Sequence, residues 1–146
     1  MKITYRGDYA LKAVLDLALH YRGDPIPINE VAQRIDAPVK FLEQVLLDLK
    51  RGGFVESRRG VKGGYLLSRP SNEIMVGEVV NFIDGPIEPI SCVKQGYSDC
   101  KHSYDCVFRK LWSDVYRATS DIVDRTSFKE LCSQVAPEQK ENDYSI

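Results

Sequence analysis

Histidine is almost missing from this chain, with only His20 and His102 among 146 residues. No nucleophile, base and orienting group fall together in any spacing, which counts against an enzyme. Long apolar runs are missing too, and none approaches the ~18 residues that a membrane-spanning helix needs. The opening MKITYRGDYALKAV has no separate apolar core leading to a small-residue cleavage site, so no signal peptide is expected. The expectation is a cytoplasmic protein with no membrane partner. A net charge of −1 gives no overall pull toward nucleic acid. What remains is one domain, or a small domain with an extension, large enough to bury a core unaided.

Cysteine is scarce as well, at four, yet Cys92, Cys100 and Cys106 are separated by only seven and then five residues. Gly96, Ser98, Asp99, His102, Ser103 and Asp105 between them favour a loop. In a reducing compartment such a group points to a metal or redox site rather than a disulfide framework. Charge is also uneven. From Arg34 to Arg69 eight basic residues face four acidic ones, whereas after Ser120 six acidic residues face three basic ones. A basic middle and an acidic end direct attention to the middle as a nucleic-acid surface.

The apolar spacing predicts a helix over 8–22, with Ala10, Ala13, Val14, Leu17, Ala18 and Tyr21 on one side and Leu11, Leu15 and Leu19 on another. A second helix is expected over 29–36, capped by Asn29. After the tight turn Asp36-Ala37-Pro38 a third is expected over 39–51. Its inward face is Leu42, Val45, Leu46 and Leu49, with Lys40, Glu43, Gln44 and Asp48 pointing away. Gly52-Gly53 stops it. Two short helices joined by so short a turn suggest a helix-turn-helix. Residues 54–57 and 65–68 then read as a hairpin, and a hairpin directly after a helix-turn-helix is a wing. Its tip carries Arg58, Arg59 and Lys62 beside glycines that let a backbone approach a phosphate. A fourth helix is expected over 76–83. A long one is expected from Val107 to Phe128, with Leu111, Trp112, Val115, Ala118 and Ile122 in its apolar stripe. So late in a small domain, that stripe fits the same helix of a second chain. The fold class expected is mainly α with a small β-hairpin: a winged helix-turn-helix with a long C-terminal dimerisation helix. The expected division is 1–85 DNA-binding, 86–106 cysteine loop, 107–130 dimerisation helix and 131–146 polar disordered tail.

The run VKFLEQVLLDLKRGGFVESRRGVKGGYLLSRP, the opening MKITYRGDYALKAVLDLAL and the later IMVGEVVNFIDGPI resemble the Rrf2 family of bacterial transcription regulators, in its iron–sulfur-cluster-binding branch. The likeness spans about residues 1–130. It implies a homodimer on a double-stranded operator with palindromic half-sites, holding a [2Fe–2S] or [4Fe–4S] cluster. Position by position, Cys92, Cys100 and Cys106 match the cluster cysteines. Family members commonly keep five residues in each gap, and the first gap here is longer. A histidine that some members use as fourth ligand is replaced here by Arg109, which cannot ligate. Others take a carboxylate from the partner chain, and Asp8 stands at that position. Its alternative role is to cap the first helix. His102 and Cys132 are weaker candidates.

Thiolates are the soft ligands that iron–sulfur clusters and zinc select, and gaps of seven and five are loose for a zinc hook. Cluster loss in response to oxygen, nitric oxide or iron scarcity would be the signal. On DNA, Gln44 suits adenine and Glu43 suits cytosine N4, while Lys40, Arg58 and Lys62 suit phosphate and Arg59 the minor groove. Two rivals stand beside this reading. One is a metal-free regulator of the same fold whose thiols oxidise directly. The other is a winged-helix protein-interaction module.

Overall fold

Thr4, rather than Asp8, starts the first helix. Its hydroxyl oxygen accepts from the Gly7 N–H at 3.0 Å, and α1 runs Tyr5–His20, earlier at both ends than the apolar spacing suggests. The chain is described here from a computed structural model covering residues 2–93, 101 and 105–137. Ala10, Ala13, Val14 and Leu17 of α1 are fully buried, and the helix is the axis on which the others pack. Its second stripe is only half-buried, with Leu11 and Leu15 against the core margin.

Helix α2 spans Ile28–Ile35 and α3 spans Val39–Arg51. Asn29 does not cap α2. Pro27 occupies the cap position and makes no side-chain cap bond, which leaves Asn29 inside the first turn. Asp36 ends α2 in the left-handed region at φ 53°, a conformation that aspartate tolerates better than most residues. Leu42, Val45, Leu46 and Leu49 of α3 are completely buried. Each buried leucine contributes about 1.5–3 kcal/mol. A polar tie with a buried carboxylate crosses the core margin. Arg34 of α2 donates from Nε and Nη2 to the two carboxylate oxygens of Asp16, each at 2.9 Å, and Asp16 is buried in α1.

Strands β1 (Val55–Arg58) and β2 (Gly64–Leu67) pair antiparallel, with Val55 opposite Leu67 and Arg58 opposite Gly64. The wing has a further rung that periodicity does not reveal. Ile26 and Tyr65 exchange two backbone bonds of 2.8 Å, fastening the hairpin to the segment between α1 and α2. A side chain at Gly64 would put its Cβ 2.2 Å from the Ile26 carbonyl oxygen, so only glycine fits this crossing.

Helix α4 is Val76–Ile83, as expected. The long C-terminal helix is shorter than expected. Helix α5 spans Val107–Arg125, and the chain then turns into α6, Phe128–Gln134. Two backbone bonds make the break: Val76 N–H to the Thr126 carbonyl at 2.9 Å, and Phe128 N–H to the Ile74 carbonyl at 3.1 Å. Ser127 caps α6 by accepting from Glu130 N–H. Phe128 is fully buried, and Leu131 packs on the same core. The polar tail expected from residue 131 therefore begins inside a packed helix, and residues 138–146 lie outside the described ones. Among the described residues no helix is long and apolar enough to cross a membrane.

Candidate functional site: the cysteine segment and the basic wing

Burial of its leucine face fixes which side of α3 looks outward. Lys40, Glu43 and Gln44 are all exposed there, and none has an ion-pair partner among the described residues. Asp48 is different. It was expected to point away, but its carboxylate is only 18% exposed and accepts from Arg6 of α1, with Nε at 2.6 Å and Nη2 also bonded. Arg51 approaches the other oxygen at 3.5 Å. The outward polar side chains without an ion-pair partner among the described residues, Lys40, Glu43 and Gln44, thus lie in the N-terminal half of α3.

The wing tip brings Arg58, Arg59 and Lys62 together, all exposed. Gly60 takes φ +106°, and Gly63 N–H donates to the Gly60 carbonyl at 2.9 Å. A Cβ at Gly63 would lie 2.4 Å from the Arg58 carbonyl, so the tip is as tight as glycine allows. Arg58 is paired with Glu56 at 3.1 Å. Arg59 and Lys62 have no acidic partner among the described residues, which leaves their charge available to an external anion.

Cys92 lies in a single helical turn, Ser91–Val93, that packs against α5, and Cys106 is the N-cap residue of α5. Both are half-buried free thiols. Cys100 and His102 lie outside the described residues. Among the described residues no three metal-ligating side chains stand together. Cys92 and Cys106 are half-buried thiols on segments that meet α5, and thiolate sulfur is the donor type that iron–sulfur groups and zinc select. Cys132 is on α6, in a different part of the fold.

Asp8 lies in the first turn of α1, not at its cap, which is Thr4. Its carboxylate is half exposed, lines an open groove of about 510 Å³ with Lys2, Ile3, Thr4 and Tyr5, and holds Lys12 Nζ at 2.7 Å. The hydrogen bond to Asp8 raises the Lys12 ammonium above its ordinary pKa. Asp8 therefore already has a cation beside it, and the carboxylate faces outward.

No residue of α5 is buried. Phe108 is 62% exposed and Ile122 68%, while Val107, Leu111 and Ala118 are exposed too and Trp112 and Val115 half-buried. An apolar stripe of this extent along one helix is unusual on an isolated surface.

Sequence patterns missed three cross-element contacts: Arg6–Asp48, Asp16–Arg34, and Asp84 to Thr4. Only Asp16 left a local trace, since it falls among the inward positions of α1 between Ala13 and His20.

Residues 3–134 match the Rrf2 family model, described as an iron-dependent transcriptional regulator. The chain is 35% identical over 131 residues to the HTH-type transcriptional regulator IscR of Pectobacterium carotovorum, covering 90% of this chain and 79% of that one. Its fold is similar to CymR, the global cysteine regulator of B. subtilis, with a TM-score of 0.79 at 28% identity over 93% of this chain and 99% of that one. It is also similar to T. potens IscR, with a TM-score of 0.73 at 25% identity over 95% and 91% of the two chains.

Proposed function

The chain belongs to the Rrf2 family of transcription regulators, which are not enzymes, and from that premise we propose a homodimeric DNA reader that responds to redox, nitric oxide or iron status through an iron–sulfur cluster on its cysteine segment. The observation that carries this reading is the association of both Cys92 and Cys106 with α5, the helix whose apolar face is left exposed. A signal received at these sulfurs is received beside the element that would join the two chains. Cys92, Cys100 and Cys106 are the proposed thiolate ligands, and Asp8 of the partner subunit is the proposed fourth. Asp8 suits that role because it faces an open groove, and Lys12 would have to release it first. A cluster bound there supplies iron–sulfur bonds that oxygen, nitric oxide or iron loss can break.

On DNA, α3 is the recognition helix. Glu43 and Gln44 face base edges, Lys40 faces phosphate, and the wing tip reaches the adjoining backbone and minor groove. Two such heads on one operator read half-sites about 34 Å apart. Arg59→Ala is expected to weaken operator binding by about tenfold and to flatten the salt dependence by about one unit of log–log slope, with unfolding unchanged. Salt-titrated gel shifts check this, and equal binding by both proteins removes Arg59 from the interface.

The likeness to CymR, one of whose relatives was solved in an oxidized form, favours one alternative: the thiols themselves sense oxidants without metal. Anaerobic purification separates the two. A brown protein with visible absorbance and about stoichiometric iron and sulfide supports the cluster. A colourless protein whose cysteines form reversible disulfides supports the thiol sensor instead.

A further inference from the structure

Asp84 closes α4 with its backbone N–H, which donates to the Val80 carbonyl at 2.8 Å, and its carboxylate clamps the start of α1. Thr4 N–H donates to Asp84 Oδ2 at 3.0 Å, and the Thr4 hydroxyl donates to Oδ1 at 2.5 Å. The clamp is built into the backbone. A Cβ at Gly7 would lie 2.3 Å from Asp84 Oδ2, so the carboxylate reaches this position only because residue 7 has no side chain. The negative charge also sits at a helix N-terminus, where the backbone dipoles favour it. Immediately after Asp84 the chain reverses at Gly85, with φ +85°, and leads through Pro86 toward Cys92.

Two residues past Thr4, on the same first turn of α1, Arg6 reaches across to Asp48 on α3. Three elements are therefore joined in series: the exit of α4 that leads to the cysteine segment, the first turn of α1, and α3. We propose that Asp84, Thr4, Arg6 and Asp48 form a strut that positions the recognition helix according to the state of the cysteine segment. The strut rests on the DNA-reading function proposed above. All four are positioning residues. None contacts DNA or metal in this reading, and each acts through the placement of α3. None of the four belongs to the buried core.

The test compares wild type with Arg6→Gln, Asp48→Asn, Asp84→Ala and the charge-exchanged double variant Arg6→Asp with Asp48→Arg. Each is titrated by fluorescence anisotropy, at fixed salt, onto a duplex selected from a random-sequence library by the wild-type protein. Three preparations of each are used: reconstituted with iron and sulfide, apo with reduced thiols, and apo with oxidised thiols. The quantity read is the ratio of affinities between states. The expected result is that each single variant reduces the wild-type ratio by about fivefold, within the usual range of coupling between sites. Iron and sulfide content stay unchanged, and the charge-exchanged pair restores the ratio. A merely structural role would lower affinity by the same factor in every state and leave the ratio alone, and that result overturns the strut. If wild type takes up no iron, the cluster reading fails while the strut is judged on the reduced-to-oxidised ratio. A wild-type protein whose affinity responds to neither change has nothing to transmit, and the strut is overturned.

Discussion

Cys92→Ser and Cys106→Ser proteins, purified without oxygen, are each expected to be colourless, with iron and sulfide reduced at least about tenfold from wild type. Substituting serine replaces a soft thiolate by a hard hydroxyl that holds cluster iron far more weakly, and three thiolates leave no surplus. Fold should survive the change. Both cysteines are half-buried and lie outside the buried core, so a shift of no more than about 1 kcal/mol in stability is expected. Cys132→Ser is the matched control, because it removes a thiol on α6 and should leave colour and metal content unchanged. Absorbance together with iron and sulfide analysis of the three variants checks the assignment. Retained colour in Cys92→Ser and Cys106→Ser would assign the metal to other residues.

The second large effect is on assembly. Leu111→Glu with Ile122→Glu places two charges on the exposed apolar face of α5. Burying an unpaired carboxylate in a packed helix pair costs several kcal/mol, so the dimer is expected to dissociate at micromolar concentration. The monomer itself should stay folded, since no α5 residue is part of the buried core. Operator affinity should then fall by about 10²–10⁴-fold, the usual gain from linking two binding heads. Sedimentation equilibrium and gel shifts on the same samples check both parts. A variant that remains dimeric would mean that another surface joins the chains.

Much of this fold is written in local pattern. The four leucine and valine positions of α3, the Gly52-Gly53 stop and the glycine-flanked cations of the wing are each readable within a few residues. The structure has α3 and its stop there, while each strand of the hairpin lies one residue closer to the tip than 54–57 and 65–68, so that Arg58 ends β1. The boundary between α5 and α6 is not readable in that way. Apolar positions continue through Ile122, Val123 and Phe128 at helical steps, and what breaks the helix is pairing with residues 74–76, far away in sequence. Ser127 followed by Glu130 was the one local hint of a new start, and the longer periodicity masked it. Thr4 was masked in a similar way, because polar residues at 5–8 looked like the approach to a helix rather than its first turn. The same limit governs the charged contacts. Asp48 has the spacing of a solvent-facing residue, and only the packing of α1 against α3 brings Arg6 to it. For the candidate site, sequence supplies the residue types of the cysteine segment, and the structure adds that Cys92 and Cys106 both meet α5.

The central claim is that one protein reads DNA and changes its reading when its cysteine segment changes state. Operator affinity of a single anaerobic wild-type preparation, measured before and after the metal is removed by chelation at constant salt, tests it most directly. The account predicts a brown protein with stoichiometric iron and sulfide, whose affinity for the selected duplex shifts at least about tenfold on conversion to a colourless dimer. Identical affinity in the two states, or a preparation that never holds iron, would contradict it.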